Sequence, residues 1–346
     1  TITLSTDLHT MNQRGCMNSK NRSAKFKVLV TDYAWPSLEV EESILSDIAS
    51  LVVAPDTKPS TLSELAADAD AIMFNWATVP ESVILNAPKC VQLSRFGVGI
   101  DNIPLKLATE LGIVVTNIPD YCVQEVTGHA FSLALALNRQ LLPFSQQTHI
   151  DLASPVVRIS DQTLGLFGLG RQGQLMARKA HAFDMRVIAY DPFVKEQDIG
   201  KTNIKLVTFD ELLSQSDLIS IHAPLTDKTK GIFGKKQFNQ MKATSSIINT
   251  ARGGIIDTEA LVHALQSNQI AGAALDVTEP EPLPLNHPLR SFDNIILTPH
   301  VAFFSQQSLE ELSRRTAQQV FDGLAGNLPE NIRNPEVVSY KRRITT

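Results

Sequence analysis

From Phe26 onward the chain alternates short apolar runs with stretches in which apolar residues recur every three or four positions. The first series of runs is Phe26-Val30, Leu51-Val53, Ala71-Phe74, Val91-Leu93 and Gly112-Val115. The second is Leu164-Phe167, Arg186-Tyr190, Leu218-Ile221, Ser246-Asn249, Gly272-Leu275 and Asn294-Leu297. Runs this short and this apolar predict strands covered on both faces, and their alternation with amphipathic stretches predicts parallel sheets. Between the two series, Gln124 to Leu142 predicts a long helix ended near Pro143; another, Ser305 to about Leu324, follows the last strand.

The fold class expected is therefore α/β, with two doubly wound parallel-sheet domains. At 346 residues a pair of domains also fits the usual length of about 100–200 residues each. The sequence places a substrate domain at 25–122 and 307–338, returning through the last helix, and a Rossmann-type domain at 123–306. Residues 1–24, rich in Thr, Ser, Asn and Arg and containing the candidate starts Met11 and Met17, are expected to be disordered, and 339–346 to be a solvated basic tail.

Charge and cysteine content narrow the partners. A net charge of -5 gives no reason to expect nucleic acid. No run reaches the roughly 18 apolar residues of a membrane span, and residues 1–24 lack the apolar core of a signal peptide. Cys16, Cys90 and Cys122 lack metal-ligand spacing, so no metal is expected, and a reducing cytoplasm suits them better than a disulfide framework. All three are read as packing residues, including Cys122 near the expected cleft.

Gly168-Leu169-Gly170-Arg171-Gln172-Gly173 follows one apolar run and opens a helix-like stretch. In that context the first glycine makes a tight turn, the second lets backbone approach a pyrophosphate, and the third lets helix and strand close up. Asp191 ends the next run, 18 residues past Gly173. An acid there accepts from ribose hydroxyls and repels a 2′-phosphate, which favours NAD over NADP.

Three later segments, Asn249-Gly254, Asp276-Pro282 and Thr298-His300, each follow a strand-like run. Ligands of open α/β sheets bind outside the carboxyl ends of strands, so Arg252, a glutamate and His300 are expected to share one rim. The Arg252 fork suits a carboxylate, and His300 suits proton transfer near neutral pH. The bland alternatives are a surface ion pair for Arg252 and a satisfied core histidine for His300. Glu279 and Glu281 compete as the partner of His300.

These residues resemble the D-isomer-specific 2-hydroxyacid dehydrogenases over roughly 26–338. The resemblance is carried by the Gly168 turn, Ala251-Arg252-Gly253, Asp276-Val277 with Glu281-Pro282, and Pro299-His300. It implies that Arg252 binds and polarises a 2-oxo acid, that Glu281 rather than Glu279 partners His300, and that His300 is the general acid and base. It further implies cofactor contacts from Gly168, Gly170, Arg171, Gln172, Gly173, Asp191, His222, Ala223, Pro224, Thr250, Ala251 and Asp276, the last to the nicotinamide carboxamide. Asn75, Trp76, Val98, Gly99 and Phe303 are implied on the substrate side, with the Val98 and Gly99 backbone at its carboxylate. The Pro299-Ser305 stretch is similar to the branch that includes the C-terminal-binding-protein corepressors; Gly128 departs from the family, whose members commonly carry an acid there.

The expected activity is hydride transfer between NADH and a 2-oxo acid, giving a (2R)-hydroxy acid, in a cytoplasmic homodimer whose domains close over the cleft. An NAD(H)-sensing scaffold and a phosphite-type dehydrogenase are the alternatives. If the rings of Trp76 and Phe303 line the substrate pocket, branched, thioether or aromatic 2-oxo acids should outperform glyoxylate and phosphohydroxypyruvate.

Overall fold

A computed structural model describes residues 26–148, 156–200 and 202–339. The expectations for residues 1–24, for Cys16 and for residues 340–346 of the tail fall outside them. The described residues fall into two compact units, one of residues 26–119 with 310–339 and one within 120–309. The sequence reading had set the crossings at 122/123 and 306/307.

The first unit holds five parallel strands: β1 (Phe26–Val30), β2 (Ala49–Val53), β3 (Ala71–Phe74), β4 (Gln92–Arg95) and β5 (Val114–Thr116). They are ordered β2-β1-β3-β4-β5, the flavodoxin-like order, which reverses between β1 and β3. Leu29, Ile72, Phe74, Leu93 and Val115 bury one face of this sheet in a common core with the helices Pro59–Ala66, Glu81–Leu85 and Leu105–Glu110.

The second unit holds seven parallel strands: β6 (Thr163–Phe167), β7 (Arg186–Tyr190), β8 (Ile204–Leu206), β9 (Leu218–Ile221), β10 (Ser246–Asn249), β11 (Gly272–Leu275) and β12 (Ile295–Leu297). Their order, β12-β11-β10-β9-β6-β7-β8, is the Rossmann order with one more strand, and it reverses between β6 and β9. Successive side chains go to opposite cores: Ile247, Ala273 and Leu275 to one, and Ile248 and Ala274 to the other. Helices cover both faces, which is why these strands carry no polar alternation.

Two readings need correction. Between Val123 and Ser145 the chain forms two helices, Val123–Asn138 and Leu141–Ser145. The break comes at Gln140, whose φ is +49°. Pro143 therefore lies in the first turn of the second helix, where its missing N–H leaves no helical bond unmade. Strand β8 was not foreseen, because a three-residue Ile-Lys-Leu edge carries too little pattern. Among the described residues no helix is long and apolar enough to cross a membrane. Cys90 and Cys122 are buried thiols outside any disulfide, and burial pushes the Cys122 thiol up to about 12.

Candidate active site

At the carboxyl end of β6 the chain turns through Gly168, whose φ is +99°. A side chain there would meet the His222 and Ala223 backbone at 2.8 Å, so the loops after β6 and β9 touch at the point where strand order reverses. A Cβ on Gly173 would lie 2.3 Å from the Gly168 carbonyl, whereas one on Gly170 would meet nothing within 4 Å. Two glycines thus close the turn and the middle one faces open space, at the start of the helix Arg171–His181, where backbone N–H groups favour an anion. Arg171 is exposed and Gln172 half-buried in that first turn. Asp191 accepts from the Leu169 amide at 2.8 Å and the Phe193 amide at 2.9 Å, tying the end of β7 to the glycine loop.

Two buried polar atoms near the ends of β9 and β10 have no partner among the described residues: Nδ1 of His222 and Oγ1 of Thr250. Unpaired buried polar atoms are rare and costly unless a ligand or water meets them. The other ring nitrogen of His222 lies 2.9 Å from Ser220 Oγ, and burial pushes the imidazole down to about 4, so it is neutral at neutral pH. Pro224, next in this loop, is exposed. The open cradle at Gly170, Asp191 and these atoms fit a dinucleotide.

The reactive side chains arise from the next three strand ends. Asn249 closes the loop after β10: its side chain donates to the Arg252 carbonyl at 2.9 Å and accepts from the Ala251 amide at 3.0 Å. Gly253 then lies against Thr278, whose carbonyl carbon would sit 2.1 Å from any Cβ at that position. Only glycine allows the Arg252 loop to approach the glutamate loop this closely. Glu281 Oε1 lies 2.5 Å from His300 Nδ1. Burial pushes the Glu281 carboxyl upward, but the His300 hydrogen bond and charge, the Thr278 amide and the Arg252 charge outweigh it and hold the group below its usual value. Glu279 instead turns its backbone carbonyl to Thr258 Oγ1 at 2.6 Å. The Phe303 ring stands edge-on to His300, centroids 6.4 Å apart.

Asp276, at the end of β11, is 2% exposed. Its carboxylate accepts from Thr298 Oγ1 at 2.6 Å and from the Val301 and Ala302 amides at 2.9 Å each. The carboxylate thus serves the turn that carries His300. At Gly128, the departure from the family pattern, a Cβ would meet nothing within 4 Å.

In the first unit, Asn75 is buried and Trp76 is 48% exposed, both just past β3. Asp32, which the sequence reading missed, accepts from the amides of Asn75, Trp76 and Ala77 at 2.9, 2.7 and 3.0 Å. Asn102 donates to the carbonyls of Asn75 and Ala77, and Arg95 Nε to that of Asn75. Val98 and Gly99 follow Gly97, whose φ is +144°, and Asn117 donates to the Val98 carbonyl.

Comparison with known proteins names this arrangement. Residues 131–302 match the family model described as D-isomer specific 2-hydroxyacid dehydrogenase, NAD binding domain. D-3-phosphoglycerate dehydrogenase of Methanocaldococcus jannaschii is 37% identical over 318 residues, 89% of this chain and 59% of that protein. Glyoxylate reductase of Korarchaeum cryptofilum is 33% identical, covering 88% of this chain and 93% of its own length. The chain belongs to the D-isomer-specific 2-hydroxyacid dehydrogenase family. A D-lactate dehydrogenase from Aquifex aeolicus, solved with NAD and lactic acid, superposes on 92% of this chain and 99% of its own, with TM-score 0.79 and 28% identity. The family's NAD-binding domain therefore contains the glycine turn, Asp191, His222, Thr250, Arg252, Asp276, Glu281 and His300, and the cofactor is NAD. Against the curated phosphoglycerate dehydrogenases the chain is short, spanning only 50–59% of the first three such proteins it matches.

Proposed function

We propose that this chain reduces a 2-oxo acid to a (2R)-hydroxy acid. The chemistry that NADH would supply when bound is hydride transfer to the carbonyl carbon. Arg252 holds the substrate carboxylate with its planar fork and polarises the carbonyl. His300 gives its proton to the carbonyl oxygen and takes one back in the oxidative direction. The observation that carries this reading is the His300 Nδ1 contact with Glu281 beside the Arg252 charge. With Nδ1 committed to a carboxylate, the proton exchanged with substrate belongs to Nε2. Asn75, Trp76, Val98 and Gly99 complete the reading as substrate-side residues, and Gly168, Gly170, Gly173, Asp191, His222 and Thr250 as the cofactor's.

The Phe303 ring beside His300 supports an apolar substrate side chain. The matched relatives named phosphoglycerate dehydrogenase and glyoxylate reductase point instead to a phosphorylated or a minimal one. A panel of 2-oxo acids followed by NADH absorbance decides among them. Turnover of branched or aromatic acids above glyoxylate and phosphohydroxypyruvate is expected, and no turnover of any member refutes the activity. A cytoplasmic homodimer belongs to the same reading on the resemblance alone; sedimentation of the purified protein tests the assembly.

A further inference from the structure

His300 has φ of +55°, a left-handed backbone that a non-glycine residue holds only when its surroundings impose it. The His300 amide also lies 3.1 Å from the Thr298 carbonyl, but most of the turn is held by one residue. Three successive amides bond to Asp276: that of His300 to its carbonyl at 2.8 Å, that of Val301 to Oδ1 and that of Ala302 to Oδ2, each at 2.9 Å. The position of the His300 ring therefore depends on how the Asp276 side chain is set.

Behind Asp276 stands a directed chain of hydrogen bonds. The Thr298 hydroxyl donates to Asp276 Oδ1 at 2.6 Å. Its one proton is then used, so toward His129 Nε2, 3.0 Å away, the same oxygen acts as acceptor and Nε2–H as donor. That nitrogen also lies 3.6 Å from Asp276 Oδ1. His129 belongs to the helix Val123–Asn138, 169 residues from Thr298 in sequence, and is remote from the reacting set along the chain.

We propose that His129 is a positioning residue for the reaction: through Thr298 it fixes the Asp276 carboxylate, and so the left-handed turn that presents His300 to Glu281. Without the Nε2–H donor, the Thr298 hydroxyl rotates away, Asp276 Oδ1 loses its shortest bond, and the His300 ring drifts from Glu281. The kinetic part of this inference rests on the function proposed above.

The test compares His129→Leu, His129→Gln, Thr298→Val and the His129→Leu/Thr298→Val double variant in the full chain. His129→Leu should lower kcat by about tenfold, a loss typical of a slightly misplaced catalytic group, with KM for the 2-oxo acid and Kd for NADH within about twofold. His129→Gln, which restores an N–H donor, should recover kcat to within about threefold. The double variant should lose no more than the worse single one, because both substitutions break one chain. Unchanged kcat in His129→Leu, a loss carried by NADH affinity, additive losses, or no recovery with Gln would each overturn the proposal. A second readout needs no turnover: in protein with 15N-labelled histidine, the downfield proton of His300 Nδ1 should be present in the wild type and in His129→Gln and weakened in His129→Leu. If the wild type reduces no 2-oxo acid, the proposed function fails by itself, while an unchanged His300 signal in His129→Leu overturns the positioning role.

Discussion

At the switch point of the first sheet, between β1 and β3, side chains take up the backbone amides and carbonyls of the loop and leave Asn102 Oδ1 over, whereas between β6 and β9 of the second sheet a glycine turn borders open space beside side-chain atoms with no partner among the described residues. In the first, the Asp32 carboxylate takes the three amides of Asn75, Trp76 and Ala77, and Asn102 and Arg95 take the carbonyls. In the second, Gly170 borders open space, and the buried His222 Nδ1 and Thr250 Oγ1 have no partner among the described residues. Both crevices follow from the same topology. The difference shows that a switch point is only a place, and that the local polar accounting decides which atoms it leaves open to a ligand.

The largest effects should come from the residues past β10 to β12, which have no counterpart in the first sheet. His300→Gln should lower kcat by roughly 10²–10⁴, the contribution of a positioned acid, while Arg252→Ala should raise KM for the 2-oxo acid as well as lower kcat. A His300→Gln variant turning over near the wild-type rate removes the assignment. Reduction consumes a proton, and the Glu281 carboxylate stabilises the cationic ring that supplies it. Glu281→Gln should therefore move the alkaline loss of reductase activity to lower pH, and Glu279→Gln should leave it in place.

The glycine turn gives the most direct way to separate packing from ligand space. Gly173→Ala puts a methyl 2.3 Å from the Gly168 carbonyl and should cost about 1–3 kcal/mol of stability, seen as a lower Tm. Gly170→Val places its side chain in open space and should change Tm little, yet weaken NADH binding by about tenfold or more, since the pyrophosphate needs that space. NADH fluorescence titration and thermal melting check the pair. Normal NADH affinity in Gly170→Val would mean that the second crevice is not the cofactor's.

Both series of strands were legible because an apolar run covered on two faces needs no context to be read, as at Ile247-Ile248 with one side chain in each core. The Arg, Glu and His were legible because each ends such a run. What stayed hidden depends on separation along the chain. Asp32 reaches its amides across 43 to 45 residues, and His129 reaches Thr298 across 169. Neither has a local spacing that announces it, since a hydrogen bond between distant loops leaves no period in the sequence. The break at Gln140 was masked by Pro143, which attracts the eye as a terminator although the chain has already turned.

Asp191 sharpens the comparison by carrying both kinds of duty. It binds the amides of Leu169 and Phe193, as Asp32 binds its loop, and in the function proposed above it also meets the cofactor's ribose. NADH should be preferred over NADPH by at least tenfold in kcat/KM, about 1.4 kcal/mol, because a 2′-phosphate would meet a carboxylate. Asp191→Ser should narrow that gap. Since it also frees the glycine loop, it should weaken NADH binding itself. Equal use of the two cofactors by the wild type defeats the first claim, and unaltered NADH affinity in the variant defeats the second.

The effect furthest from turnover is expected at His222 of the second crevice, whose Nδ1 has no partner among the described residues, and it is read in the pH dependence of folding. Burial holds His222 neutral in the folded protein down to about 4, while the unfolded chain takes up its proton near the ordinary value of 6.5. Between those two values the unfolded state binds more protons, so its contribution to stability is present above 6.5 and is lost as pH falls toward 4. The slope approaches about 1.4 kcal/mol per pH unit. Replacing His222 with Gln, which cannot titrate there, should flatten the acid-side decline of folding free energy measured by urea unfolding from pH 6.5 to 4.5. Saturating NADH should raise stability across the same window without removing the slope if the bound cofactor meets the ring in its neutral form. An identical pH dependence in wild type and variant would show that protonation of this ring is not linked to folding, and the neutral, ligand-facing His222 would then have to be abandoned.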